Sequence, residues 1–515
     1  MRTILSLTLM LCAAPAFAAQ ECASLAKLPL PATTITRAES VAAGSFQLPG
    51  GKAIPNLPAF CRVAGVIAPS PDSSIQFEVW MPSLGWNGRF QGIGNGGFAG
   101  SISYDQMGNA VAHGYASAST DTGHAGGATD AGWARAHPEK IVDFAYRAIH
   151  DMTVNAKTII RAFYGKAPGL SYFNGCSNGG RQALMEAQRF PEDYDGIVAG
   201  APANYWTHLL ANSVWDLLAV TGNSYIPAKK LPAIQAAALA VCDALDGLKD
   251  GLIEDPSRCH FDPAALQCQG AETDACLTAP QVVAAKKLYA GGVFPGYEPG
   301  GEAEPGGWVT WITGQAPEKS LMFAFGTQFF KYMMFDNAAW DYHAFDAARD
   351  TKATDRKLAG ILNATDPDLS RFRARGGKLI LYHGWSDAAI APRNAVNYYQ
   401  SVAAKMGDAR GFLRLFMVPG MQHCFGGSGP NSFGQFGGAA DDADHDVGAA
   451  IERWVEQGVA PERIVATKRK SDLDPKSEVL RTRPLCAYPS VAHYKGSGSV
   501  DEAANFVCGP ETQAR

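Results

Sequence analysis

Between residues 86 and 200 the apolar positions switch between two periods. Short strand-like runs alternate with stretches in which apolar side chains recur at helical spacing. Arg89-Phe90-Gln91-Gly92-Ile93 is the first such run and leads into a glycine-rich turn, Gly94-Asn95-Gly96-Gly97. Residues 142–163 predict a helix, 170–173 a strand, 180–189 a helix after a turn, and Ile197-Val198-Ala199 the next strand. Strand-helix-strand alternation of this kind predicts a parallel sheet covered by helices. The rhythm returns at 378–382 and 413–418, two further strands, and at 447–457, a helix that should pack on the sheet.

From about Tyr205 to Gly376 the pattern differs. This block carries four cysteines, an Asp/Gly-rich segment, a Pro/Gly-rich run between Phe294 and Gly307, and an aromatic run from Phe323 to Phe345. The middle block therefore reads as an insertion into one α/β domain. No internal repeat or low-complexity tract is visible.

Composition narrows the class. The 515 residues carry 44 Lys+Arg against 49 Asp+Glu, a formal charge of −5, and 47% are hydrophobic. That is a globular balance without the net basic face a nucleic-acid partner requires. The 55 glycines and 31 prolines predict many tight turns. At the N-terminus, Arg2, an apolar run from Ile4 to Ala14, and Ala16-Phe17-Ala18 form the three parts of an export signal, predicted to span residues 1–18. The run is shorter than the roughly 20 residues of a membrane span, so no membrane partner is expected. Oligomeric state is not encoded in any pattern found.

Of eleven cysteines, Cys12 falls within the signal, leaving ten in an exported chain, the even number of a disulfide framework. Spacing does not determine connectivity, but short loops favour Cys22–Cys61, Cys242–Cys259, Cys268–Cys276 and Cys486–Cys508. Cys176 and Cys424 then remain as a long-range pair. No Cys-x-x-Cys spacing occurs, which leaves zinc and thioredoxin-type chemistry without support.

The sharpest chemical signal is Gly175-Cys176-Ser177-Asn178-Gly179, a G-x-S-x-G pattern between a predicted strand and a predicted helix. That context suits a nucleophile elbow, where the serine sits on a strained turn and bulky neighbours would collide. A serine hydroxyl needs a hydrogen-bonded base, itself oriented by an acid. In the order expected for such folds, Asp387 follows the strand at 378–382 and His423 follows the strand at 413–418. The predicted triad is Ser177, Asp387 and His423. Backbone N–H groups of Asn178 and of Gly97 (or Gly96) are the candidate oxyanion donors. His124 precedes the serine and suits loop packing, and His383 at a strand end suits a structural hydrogen bond. The acidic run Asp441-Asp442-Ala443-Asp444-His445-Asp446 could suggest metal, but it precedes a helix, where carboxylates cap free N–H groups. Cys176 precedes the proposed nucleophile and Cys424 follows the proposed base, so a bond between them would hold serine and histidine together.

The adjacent Cys-Ser and His-Cys pairs, with a separate aspartate, resemble the tannase and feruloyl esterase family. The likeness extends to Gly94-Asn95-Gly96-Gly97, to the segments from Ser119 to His124 and from Gly175 to Arg181, to His383-Gly384-Trp385-Ser386-Asp387, and to the segment from Gly420 to Gly426. It implies an α/β-hydrolase fold with a large lid inserted between nucleophile and acid. The catalytic domain would comprise 19–204 and 377–515, and the lid 205–376. It also implies a structural Ca²⁺ in the lid, held by the side chains of Asp243, Asp246 and Asp250 and the carbonyls of Leu248 and Leu252. Three carboxylates on a glycine-bearing loop are hard oxygen donors suited to that ion, although the spacing is not that of an EF-hand. The implied activity is exported serine carboxylic-ester hydrolysis on esters of aromatic acids: hydroxycinnamate first, gallate second, terephthalate monoester third. The lid aromatics could clamp a ring, though such residues more often form the lid's own core. A peptidase on the same fold would use the same triad. A non-catalytic binding protein would show a defect in it, and a calcium-dependent adhesin would show repeats.

Overall fold

A computed structural model describes residues 19–48, 50–436, 442–472, 474 and 476–510. The predicted signal, residues 1–18, and Asp441 lie outside them. Nine strands form the central sheet: β1 (Thr33–Val41), β2 (Phe60–Ile67), β3 (Ile75–Pro82), β4 (Arg89–Ile93), β5 (Ala116–Thr120), β6 (Leu170–Cys176), β7 (Gly196–Gly200), β8 (Lys378–Gly384) and β9 (Leu413–Val418). Their spatial order is β1-β2-β3-β5-β4-β6-β7-β8-β9. The first three strands and β5 pair antiparallel, and every pairing from β5/β4 to β8/β9 is parallel. The crossing of β4 and β5 puts the ends of β4 and β6 side by side, and both lead directly into site loops.

Helices cover both faces, which is why β7 at the centre is apolar throughout rather than alternating. All five residues of β7, Gly-Ile-Val-Ala-Gly, are buried. One face packs against α2 (Ala148–Tyr164), α3 (Asn178–Arg189) and α8 (Arg393–Met406), through Ile149, Met152, Leu184 and Val402. The other packs against α9 (Val447–Gln457) and the end of α1 (Tyr104–Ala112), through Ile451, Trp454 and Ala110. Asp446 caps α9 by accepting the Ala449 N–H, and Asp442 accepts from Asp444 and His445, so the acidic run turns inward on its own backbone.

Three of the boundaries that differ from the sequence reading bear on the site. The strand predicted at 170–173 continues to Cys176, so the serine follows it without a spacer. The following helix begins at Asn178 rather than 180. The helix predicted over 142–163 is interrupted by a wider turn at Asp143–Arg147 before α2 proper. That turn places the Phe144 and Ala145 carbonyls against the Arg181 guanidinium.

Between β7 and β8 the chain adds no strand to the sheet and is built from helices, among them α4 (Trp206–Ala219), α5 (Leu231–Cys242), α6 (Ala279–Ala290) and α7 (Leu321–Gln328). Phe329 and Phe330 are fully buried there, and Phe330 contacts the rings of Phe335, Trp340 and Phe345. Most of the aromatic run is thus core. All five expected disulfides form, with Cα–Cα separations from 5.0 to 6.0 Å. Among the described residues no helix is long and apolar enough to cross a membrane.

Candidate active site

Ser177 occupies a backbone conformation that L-residues rarely adopt, φ 66° and ψ −122°. The chain leaves β6 and enters α3 within one residue, and the strain is carried by hydrogen bonds on both sides. The Ser177 N–H donates to the Gly200 carbonyl, and its own carbonyl accepts from Ala203. Glycine is required where the turn closes. A Cβ on Gly175 would lie 2.6 Å from the Gly179 backbone, and one on Gly180 would lie 2.3 Å from the Gly200 oxygen.

Asp387 follows β8 and is 1% exposed. Its Oδ1 accepts the N–H groups of Ala389 and Ile390, while Oδ2 faces His423 Nδ1 at 2.8 Å and His383 Nε2 at 3.0 Å. Burial works against the ionised form, but the two imidazoles and these donors hold the carboxyl well below the usual carboxylate range. His383, expected as a structural hydrogen-bonder, bridges Asp387 and the Ile390 carbonyl. His124 stacks on Trp133 at 3.8 Å and meets the Phe98 carbonyl, with burial pushing it down to about 4. It is a packing residue, as its position before the serine suggested.

The Cys176–Cys424 bond joins the residue before Ser177 to the residue after His423, with Cα atoms 6.0 Å apart. Ser177 and His423 line one cavity of about 420 Å³. Gly96 and Gly97 line it too, on a turn fastened from three sides. Gln182 of α3 accepts the Asn95 N–H, Asn95 donates to the Thr120 carbonyl, and Ser103 donates to the Gly94 carbonyl. The Asn178 N–H sits at the first turn of α3, where helix geometry provides no intrahelical acceptor.

Several wall residues were not singled out from sequence. Trp311 meets the His423 ring edge-to-face at 5.1 Å and lies parallel to Phe325 at 6.1 Å. Trp206, Leu210 and Met322 complete an apolar surface. Arg181 is fully buried below the elbow, donating to Asn178 Oδ1 and to the carbonyls of Phe144, Ala145 and Leu362. Its guanidinium also lies over the rings of Phe144 and Trp206, and burial lowers it to about 9. It closes the Gly175–Arg181 segment of the sequence likeness, though no role was read for it there.

This geometry can activate a hydroxyl, stabilise an anion beside it, and hold a ring against an aromatic wall. The profile of the tannase and feruloyl esterase family matches residues 61–509. The chain belongs to the tannase and feruloyl esterase family. It is therefore a carboxylic ester hydrolase. An uncharacterized esterase of Xanthomonas campestris pv. campestris is 47% identical over 99% of this chain and 94% of its own length. Mono(2-hydroxyethyl) terephthalate hydrolase of Piscinibacter sakaiensis is 33% identical, covering 91% of this chain and 88% of its own. The crystal structure of feruloyl esterase B from Aspergillus oryzae superposes with a TM-score of 0.88 at 32% identity, over 95% of this chain and 99% of that one.

In the loop expected to hold calcium, this tannase-family chain directs its carboxylates onto its own backbone. Asp243 accepts from Gly251, Asp246 from Leu248 and Asp250 from Leu252, and Asp250 also pairs with Arg483 at 2.5 Å. Burial and the neighbouring Asp250 charge push Asp246 upward, a repulsion that a cation would relieve. Among the described residues, the three-ligand group within 4.8 Å is a different one, His150, Glu186 and Asp193. There His150 already bonds Asp193 at 2.6 Å, the Lys157 ammonium is held by the Asp193 carbonyl, and burial raises Glu186 well above its ordinary value.

Proposed function

We propose that this enzyme hydrolyses esters of aromatic acids, hydroxycinnamates first, through an acyl-enzyme on Ser177. The observation that supports this reading most is the cavity itself. It is walled by Trp311, Phe325 and Trp206 and lined by a serine and a histidine that one disulfide ties together. Asp387 orients His423 and stabilises its imidazolium. His423 takes the Ser177 proton as the hydroxyl attacks the ester carbonyl. The N–H groups of Asn178 and Gly97 receive the oxyanion, and His423 returns the proton to the departing alcohol. Water then repeats the sequence on the acyl-enzyme. The ring of the acid lies against Trp311 and Phe325, where stacking and burial favour an aromatic acyl group over an alkyl one.

The even cysteine framework and the N-terminal signal support export to an oxidising compartment, periplasmic or extracellular. A structural Ca²⁺ would be held by Asp243, Asp246 and Asp250 with the Leu248 and Leu252 carbonyls, tying α5 to the C-terminal segment through Arg483. Its role is stability of the lid.

The test compares methyl ferulate, methyl gallate and mono(2-hydroxyethyl) terephthalate in parallel, with Ser177→Ala as blank. Turnover of methyl ferulate with the highest kcat/KM is expected. A preference for either other ester replaces the first-choice acid. Activity equal to the blank on all three, with a fluorophosphonate probe still labelling Ser177, excludes aromatic esters and leaves a serine hydrolase of other specificity, a peptidase included.

A further inference from the structure

The Pro/Gly-rich run between Phe294 and Gly307 lines no part of the acyl cavity, yet it touches the loops that carry Asp387 and His423. Gly301 is wedged between those loops. A Cβ there would lie 2.5 Å from the Ser386 Cβ and 2.7 Å from Gln422 Nε2. Ser386 precedes Asp387 and Gln422 precedes His423, so one glycine abuts the chain neighbour of the acid and that of the base. The two loops also meet directly, because the Ser386 N–H donates to the Met421 carbonyl at 3.0 Å.

Hydrogen bonds fasten this contact. Gln422 is 1% exposed, and its side-chain amide donates to the Gly301 carbonyl at 2.8 Å. On the other side of His423, the Ser428 N–H donates to the Glu304 carboxylate at 2.9 Å. The run that receives these bonds is itself held in place. Glu302 is buried, where it accepts the Gly300 N–H and the Tyr289 hydroxyl. Gln235 of α5 accepts the Ala303 N–H at 2.8 Å and donates to Glu304 at 3.4 Å.

Such a brace matters because the Cys176–Cys424 bond fixes only one flank of His423. Cys424 ties the residue after the histidine to the serine turn, and Gln422 ties the residue before it to Gly301. With both flanks held, the imidazole keeps its Nδ1 2.8 Å from Asp387 Oδ2. Since Gly301, Glu304 and Gln422 line no part of the cavity, their effect on rate passes through His423 and Asp387 and not through substrate contact.

We infer that the turn from Gly301 to Glu304 is a built-in spacer for the acid–base pair, and that Gln422 and Glu304 are the positioning residues through which it acts. The inference rests on the triad reading above. It makes this part of the inserted block a fixed support of the catalytic loops.

The experiment follows labelling of Ser177 by a fluorophosphonate at 25 °C. The serine oxygen displaces fluoride from phosphorus and its proton passes to His423, so the rate reads the acid–base pair without depending on the acyl specificity. Gln422→Met keeps the length and removes the donor. Glu304→Leu removes the acceptor, whereas Glu304→Gln keeps a carbonyl oxygen for the Ser428 N–H. The saturating rate, kinact, should fall at least about tenfold in Gln422→Met and Glu304→Leu, with the probe's KI within about twofold of wild type. Glu304→Gln should stay within about twofold of wild type in both constants. Melting temperatures show which variants are folded, and the Glu304 pair decides the question if Gln422→Met does not fold. A wild-type kinact in folded Gln422→Met or Glu304→Leu overturns the inference, even where the melting temperature drops, because the residue is then structural only. Equal losses in Glu304→Leu and Glu304→Gln overturn it too. His423→Ala is the control: if it labels as fast as wild type, the triad reading fails and the spacer falls with it.

Discussion

The Cys176–Cys424 bond separates two roles that a disulfide can have, and the double variant Cys176→Ala/Cys424→Ala measures both. The cross-link closes a loop of 248 residues. In the chain-entropy account, opening a loop of that length costs about 5 kcal/mol of stability. The Cys242–Cys259 and Cys268–Cys276 bonds nested within it, closing 17 and 8 residues, shorten the effective loop too little to change that figure. Unfolding entropy of about 2.1 cal/mol/K per residue turns this loss into a melting shift of about 5 °C for a chain of this size. The second role is positional. The bond fastens the strained Ser177 turn to the loop carrying His423, and a misplacement of about 1 Å between such groups costs about 100-fold in rate. The assay is kcat/KM on methyl ferulate at 25 °C beside a calorimetric melt. Cys268→Ala/Cys276→Ala serves as control, where an 8-residue loop predicts about 2.5 kcal/mol and an unchanged rate. A folded Cys176→Ala/Cys424→Ala enzyme with full kcat/KM would refute the positional argument. A melting temperature within 1 °C of wild type would refute the entropic one.

Other expectations follow from single side chains. His383→Leu removes one of the two imidazoles on Asp387 Oδ2, so kcat should fall tenfold or more with little change in KM, read by steady-state kinetics. Asp216 is buried beside Tyr297 and Asn212, and burial pushes its carboxyl up to about 8. Because the folded form holds its proton more tightly than the unfolded one, stability is lost as pH rises from about 4 through about 8; Asp216→Asn should flatten that slope in melts taken across the range. Chelation should lower the melting temperature without changing kcat at 25 °C, and Asp243→Ala should abolish the response to added Ca²⁺. Arg181→Met leaves three buried carbonyls without their donor, and should cost about 3 kcal/mol or more in urea unfolding.

Local sequence determined a good deal of this protein. Period two and period 3.6 are properties of neighbouring residues, so five of the six parallel strands (all but β5), the helix after the serine and the capped helix at Asp446 were legible. The triad order was legible for the same reason, since Ser177, Asp387 and His423 each follow directly on a strand whose pattern is clear. The cysteines beside two of them gave one long-range contact, because covalent pairing leaves few partners once short loops are assigned. The antiparallel strands β1 to β3 escaped notice, since none carries a strong pattern alone and each depends on its neighbour for register. The cavity walls escaped as well. Trp311 reaches His423 across 112 positions, so nothing in its neighbourhood records the contact. The aromatic run 323–345 looked uniform in sequence, yet packing turned Phe330 inward and Phe325 toward the serine. Sequence periodicity says which face of an element is apolar; only the packed chain decides which face meets the substrate.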